Sequence, residues 1–331
     1  MNILITGASG FIGSFLVEEA LNRGMKTWAA VRSTSSRAYL RDARIHFIEL
    51  DFSSKERLVE QLSGHAFDYV IHAAGVTKTL HEADFRRINT DGTKHLVEAL
   101  LELKMPVRRF IYLSSLSVFG PVSEQQPYRE ISEDDVPKPN TAYGRSKLEA
   151  ERYLESIGND FHYVILRPTG VYGPREKDYY MMARSISRHV DFAVGYRRQD
   201  ITFVYVKDVV QAAFLALDHG MDGRCYFLSD GHVYQSTTFS DLIREQLGRP
   251  WCLRVRVPEW VLRVVTFFGE RVGQMTGRVT ALNNDKYNIL KQRNWRCNIE
   301  PAVDELGYHP HYDLRRGVRE TVAWYKENGW L

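Results

Sequence analysis

Met1-Asn-Ile-Leu-Ile-Thr6 runs directly into Gly7-Ala-Ser-Gly10-Phe-Ile-Gly13, and residues 14–23 continue with helical periodicity. The first six residues read as a short buried strand, because leucine and β-branched side chains follow one another with almost no polar interruption. Strand, glycine turn and helix in that order are the setting a dinucleotide fingerprint requires. In that setting Gly7 allows the tight turn, Gly10 lets the backbone approach a pyrophosphate, and Gly13 lets helix and strand pack closely. The helix start offers N–H groups and the positive end of its dipole to phosphate. The spacing is Gly-x-x-Gly-x-x-Gly rather than Gly-x-Gly-x-x-Gly.

Beyond this unit, residues 27–31, 45–50, 69–72, 109–113 and 162–166 read as further strands. Helical patterns separate them, clearest at 84–103 and 142–156. Such alternation predicts an α/β fold, a Rossmann-type doubly wound parallel sheet with helices on both faces. Ligand then belongs at the carboxyl ends of the strands, where Gly7, Arg32, Asp51, Ala73 and Ser115 fall. We expect a dinucleotide-binding domain over 1–172, with 201–217 returning to its sheet, and a smaller α/β substrate domain over most of 173–331. Residues 122–140, rich in charge and proline, read as a long exposed loop. The apolar run 257–269 is too short to span a bilayer. It reads as an amphipathic helix packed on its own domain, with an apolar lid over the substrate or a membrane-contact surface as the sharper alternatives.

Composition narrows the classes. With 44% hydrophobic residues the chain has ample core, so global disorder is excluded. A net charge of +3 is too small to argue for nucleic acid or an anionic membrane. Cys225, Cys252 and Cys297 are odd in number and widely spaced, which implies reduced thiols, with neither a disulfide framework nor a metal site. A chain opening on a core strand leaves no room for a signal peptide, so the expected location is cytoplasmic.

Tyr143 and Lys147 carry the chemistry in the run Thr141-Ala-Tyr-Gly-Arg-Ser-Lys147. Positions i and i+4 share a helix face. A free phenol titrates near about 10, and a neighbouring ammonium favours the phenolate. This spacing predicts a tyrosine tuned by Lys147 to exchange a proton with a hydroxyl or carbonyl oxygen near neutral pH.

The glycine turn and the Tyr-Lys pair together resemble the extended short-chain dehydrogenase/reductase family, which includes the NAD-dependent epimerase/dehydratases. Further segments resemble it in order: His72-Ala-Ala-Gly75, Ile88-Asn89-Thr-Asp-Gly-Thr93, Tyr112-Leu-Ser-Ser115-Leu-Ser-Val-Phe-Gly120, Leu166-Arg-Pro168-Thr-Gly-Val-Tyr-Gly-Pro174 and Phe203-Val-Tyr-Val-Lys-Asp208. Phe119 stands where tyrosine is usual. The resemblance implies a catalytic set of Ser115, Tyr143 and Lys147 with Asn89 orienting the site, although Asn89 also reads as the N-cap of its helix. It implies cofactor contacts from Gly7, Gly10, Phe11, Ile12, Gly13, Arg32, Asp51, Phe52, Ala73, Ala74, Gly75, Ser114, Tyr143, Lys147, Pro168 and Val171. Asp51 has a plainer reading as a helix cap. Thr77, Lys78 and Ser115 are expected to face substrate. Family dehydratases carry an Asp-Glu pair after the catalytic hydroxyl, whereas Leu116-Ser117 follows here, which argues against dehydration.

Cofactor choice turns on the end of the second strand. NAD binders place an acid there for the ribose 2′-hydroxyl, and NADP binders place a cation near the 2′-phosphate. This strand ends Ala29-Ala-Val-Arg32-Ser33, with no acid in the turn and Arg37 nearby. NADP(H) is therefore favoured over NAD(H), since Arg32 can make a charge-assisted contact to phosphate. The expected activity is hydride transfer between NADP(H) and a secondary alcohol or ketone of a bulky, steroid- or flavonol-like substrate, with residues 260–268 forming one wall of the site. One alternative is a nucleotide-sugar epimerase, with Arg175, Arg184, Arg188 and Arg197 available for a diphosphate. Another, of a different class, is a non-catalytic dinucleotide-binding sensor. The expected partner is a small-molecule substrate, without nucleic acid or an integral membrane segment; a homodimer is left open.

Overall fold

Ile3 and Ile5 pack into one hydrophobic layer and Leu4 into another, and all three are fully buried. Side chains alternate along a strand, so this short run feeds cores on both faces of a sheet. Ala29 and Val31 against Ala30, Ile111 and Leu113 against Phe110 and Tyr112, and Val164 and Leu166 against Tyr163 and Ile165 divide the same way. Strands covered on both faces read as continuous apolar stretches, as parallel sheets between helices do.

The computed structural model describes residues 1–125, 128–277 and 283–331. Its main sheet has seven parallel strands: β1 (Asn2–Thr6), β2 (Lys26–Val31), β3 (His46–Glu49), β4 (Tyr69–His72), β5 (Arg109–Leu113), β6 (Tyr163–Pro168) and a seventh, Cys225–Leu228. Their spatial order is the seventh strand, β6, β5, β4, β1, β2, β3. Order reverses beside β1, which creates the crevice where ligands of doubly wound sheets bind. Helices Phe11–Asn22 and Val206–His219 supply one layer; Lys55–Leu62, Gly92–Glu102 and Ala142–Ile157 supply the other. Among the described residues no helix is long and apolar enough to cross a membrane.

Four expectations change. Of 201–217, the helix Val206–His219 does pack on the main sheet's core, but the strand Phe203–Tyr205 pairs with Gly170–Tyr172 in a separate two-stranded sheet. The place beside β6 is taken by Cys225–Leu228. The helix expected over 84–103 is interrupted: Arg86–Asp91 widens into a π-helical turn between Glu82–Phe85 and Gly92–Glu102. Asn89 therefore lies inside a helix and caps nothing. In the loop expected over 122–140, Tyr128 and Ile131 are buried, and Asn294 Nδ2 donates to the carbonyls of Val122, Ser123 and Arg129; residues 126–127 lie outside the described set. Finally, the apolar run falls in helix Glu259–Thr276, yet Trp260 and Phe268 are 70% and 61% exposed. They are not packed into a core.

Candidate functional site

The glycine turn is built as its spacing implies. Gly7 has φ +67°, and a Cβ there would stand 2.6 Å from the carbonyl carbon of Ala73, at the end of β4. A Cβ on Gly13 would lie 2.0 Å from the Gly7 carbonyl oxygen, so only glycine lets the helix approach the turn. Helix Phe11–Asn22 starts at Gly10 with no side-chain cap and no acid in its first turn. A helix start left that way suits an anionic group. Just past the end of β5, the buried Ser114 hydroxyl has no hydrogen-bond partner among the described residues. Uncapped helix start, close glycine turn and unpaired buried hydroxyl fit a dinucleotide.

Asn89 ties the next part together. Its Oδ1 accepts from Val76 N at 2.8 Å, and its Nδ2 donates to Val76 O and to Ser146 Oγ, each at 3.0 Å. Ser146 Oγ donates in turn to the Tyr143 carbonyl at 2.8 Å. The π turn, the loop after β4 and the tyrosine helix are thus held by one amide, and widened helix turns are frequent at functional sites. His72 continues the network, 2.7 Å from Thr6 Oγ1 and 3.0 Å from Thr93 Oγ1. Thr93 already donates its proton to Asn89 O, so His72 Nε2 donates to Thr93 and His72 Nδ1 accepts from Thr6. Burial, and then the charge of Lys147, hold the His72 pKa down to about 3. The ring is neutral and structural.

Lys147 is buried, donates from Nζ to Leu113 O at 2.7 Å and lies over the Tyr112 ring. A Cβ at Gly75 would come within 3.5 Å of the same Nζ, which places the β4 loop beside it. Burial lowers the Lys147 pKa to about 8, while the carboxylate of Glu151 raises it. Glu151 is itself buried and pairs with Arg167 of β6 through bonds of 3.1 and 2.8 Å. The Tyr143 ring meets Phe85 edge-on at 6.2 Å. Burial pushes its phenol up to about 12, and the Ser115 hydroxyl pulls it lower. This corrects the expected direction for Tyr143. In the protein alone desolvation dominates, and Lys147 directs its amine to the Leu113 carbonyl.

The other expected residues spread along the crevice. Arg32 is exposed at the end of β2, and its amide donates to Ser35 Oγ at 3.0 Å. Arg37 stacks on the Phe47 ring at 4.3 Å. Asp51 accepts from Ser53 N and pairs with Arg57, whereas Ser54 caps the helix Lys55–Leu62. Phe52 lies 5.9 Å from the His72 ring. Ala73, Ala74 and Gly75 follow β4, with Ala74 N donating to Thr6 Oγ1 at 3.2 Å. Pro168 is buried at the end of β6, and Val171 is half-buried in the short strand after it. Thr77 is exposed; Lys78 pairs with Asp178, which Lys286 also approaches at 3.5 Å. Arg175 is committed to Ser14 Oγ at 2.8 Å and Glu18 at 2.6 Å, so it is not free for a substrate diphosphate. Arg184, Arg188 and Arg197 are exposed. Among the described residues no group of three or more His, Cys, Asp or Glu could hold a metal ion.

Three positioning features escaped the sequence reading. A Cβ at Gly144 would sit 2.4 Å from Ser117 O, so this glycine brings the tyrosine helix onto the turn that carries Ser115. Ser146 presents its hydroxyl to Asn89 from within the Tyr-Gly-Arg-Ser-Lys run, and its spacing could have been noticed. Asp285 accepts from the N–H groups of Ala142 at 3.0 Å and Tyr143 at 3.1 Å, while Thr141 Oγ1 accepts from Gly144 N at 2.9 Å. Asp285 lies more than a hundred residues beyond the helix start it holds, and no local pattern announces it.

Known proteins resemble this chain over most of its length. A family model described as NAD dependent epimerase/dehydratase family matches residues 3–228. A UDP-glucose 4-epimerase of Vibrio cholerae is 26% identical, covering 97% of this chain and 94% of its own length. A decarboxylating sterol-4-alpha-carboxylate 3-dehydrogenase of Schizosaccharomyces pombe is also 26% identical, covering 98% and 97%. The dTDP-glucose 4,6-dehydratase DesIV of Streptomyces venezuelae, solved with NAD bound, superposes with a TM-score of 0.81 at 21% identity, covering 100% and 98% of the two chains.

Proposed function

Given that this chain belongs to the NAD-dependent epimerase/dehydratase family and is an enzyme of its extended short-chain dehydrogenase/reductase class, we propose that it interconverts a secondary alcohol and a ketone on a bulky, largely apolar substrate, with NADP(H) as cofactor. The observation that carries this reading is the pairing of a Tyr143 phenol with the Ser115 hydroxyl, and of a buried Lys147 ammonium with the loop after β4. In the direction of reduction Tyr143, protonated at neutral pH, gives its proton to the carbonyl oxygen as that oxygen gains charge. Ser115 donates a hydrogen bond to the same oxygen. Lys147 offers donors to ribose hydroxyls and supplies the positive charge that keeps the deprotonated tyrosine tolerable. The buried carboxylate of Glu151, itself paired with Arg167, favours that charge. A nicotinamide dinucleotide bound here would supply or accept the hydride, so that one hydride and one proton move per turnover.

Two features favour net redox chemistry over the sugar reactions of relatives. Leu116-Ser117 stands where dehydratases carry their acidic pair, which leaves no carboxyl group there to eliminate water. Arg175, one of four arginines available on paper for a diphosphate, is engaged by Ser14 and Glu18. Purified protein assayed with steroid-like ketones and with UDP- and GDP-sugars, read by NADPH absorbance and by product analysis, tests the reading. Consumption of NADPH with an apolar ketone is the expected result. Epimerisation of a nucleotide sugar without net cofactor consumption would overturn it.

A further inference from the structure

Helix Glu259–Thr276 is amphipathic in the opposite sense to a helix that packs on its own domain. Its inward stripe is Leu262, Thr266 and Gly273, a narrow contact that includes a hydroxyl and a glycine. At 3.6 residues per turn, Trp260, Val264, Phe267, Phe268, Arg271 and Met275 all fall on the side away from that stripe. Phe267 is 53% exposed and Met275 87%. A helix whose outward side is more apolar than its inward side is not explained by its own fold, and a contiguous apolar surface of this kind marks a place of contact.

Charge says what covers it. Arg271 sits within the apolar face, its guanidinium 5.3 Å from the Phe267 ring, and Arg263 is exposed at the edge. Arg256 is exposed in the strand leading into the helix, Leu253–Val257, where Leu253 is exposed as well. The two acids, Glu259 and Glu270, are half-buried and lie on the side of the inward stripe. The outward face therefore offers aromatic rings and arginines without a carboxylate. A second copy meeting it across a two-fold axis would set arginine against arginine with no acid to pair them. Anionic lipid headgroups complement it: rings enter the acyl boundary while guanidinium groups stay among phosphates and water. The chain's net charge of +3 does not bear on this, because lipid attraction falls off within a Debye length and depends on local cations.

We propose that this face is a docking surface for an anionic membrane, with the helix lying in the plane of the interface. The inference goes beyond the proposed reaction and does not rest on it. Its test is co-sedimentation of the full chain with vesicles of phosphatidylcholine alone and of phosphatidylcholine mixed with phosphatidylglycerol, at low and high salt. Binding to the mixed vesicles that weakens with salt is expected. Arg263→Gln and Arg271→Gln should each reduce partitioning by about fivefold. The double variant F267S/F268S should reduce it by about tenfold or more without lowering the melting temperature, since both rings are exposed. No binding to either vesicle, or binding indifferent to both sets of variants, would overturn the proposal. So would a dimer in sedimentation equilibrium that F267S/F268S dissociates, which would assign the face to a second copy.

Discussion

At Lys147 burial and the Glu151 carboxylate pull in opposite directions, and burial wins, with the pKa falling from 10.5 to about 8. A base whose folded pKa is lowered binds its proton more weakly in the fold than in the unfolded chain. Its penalty is therefore present in full below about pH 8 and relieved as pH rises towards about 10.5. Lys147→Met should stabilise the protein without cofactor at pH 7 by about 1–3 kcal/mol, and should flatten the rise in stability between about pH 8 and 10. Denaturant unfolding at several pH values measures both, and a destabilised variant that keeps the parent's slope would refute the account. The same variant should lose turnover, as expected where stability is given up for function. Tyr143→Phe should preserve folding and cofactor binding while lowering kcat by about two to four orders of magnitude; near-parental kcat would remove the tyrosine from the reaction. The i, i+4 spacing of these residues was legible in the sequence. The direction of their pKa shifts was not, because desolvation depends on neighbours contributed by β5, β6 and the π turn.

Among the elements, helix Ala142–Ile157 is fixed by contacts distant from it in sequence. Its first three N–H groups are taken by Asp285, Asp285 and Thr141 in turn. A carboxylate at a helix start also opposes the positive end of the dipole. Asp285→Ala should therefore cost about 0.5–2 kcal/mol of stability. Because one of the freed groups is the amide of Tyr143, kcat should fall more than KM rises, and Asp285→Asn, which keeps an acceptor oxygen, should recover most of it. Parental kcat in Asp285→Ala would make the contact a plain helix cap. Periodicity made most helices of the main domain legible, since their apolar stripes face a sheet. It misjudged helix Glu259–Thr276, where an apolar stripe exists but faces outward, and period alone cannot tell which side a neighbour occupies. It also missed the π turn at Arg86–Asp91, whose register depends on the side-chain bonds of Asn89.

Over the whole molecule the two core layers meet along β1, and the turn after that strand is backed by the end of β4. A ligand held there is bound by the folded chain alone, so cofactor binding is read directly as global stability. At a concentration about a hundredfold above its dissociation constant, the gain is about 2.7 kcal/mol. If the exposed Arg32 at the end of β2 meets a 2′-phosphate, that charge-assisted contact contributes about 1.5–3 kcal/mol, which is tenfold or more in affinity. Thermal unfolding with equal concentrations of NADPH and NADH should then show the larger shift with NADPH. Arg32→Asp should shrink or reverse the difference, because an acid repels the phosphate and accepts the ribose hydroxyl. Gly13→Ala should lose both shifts, since its Cβ would lie 2.0 Å from Gly7 O and displace the turn itself. Its own melting point, measured without cofactor, separates a lost site from a lost fold. Equal shifts with the two cofactors in the parent protein would show that Arg32 does not select between them.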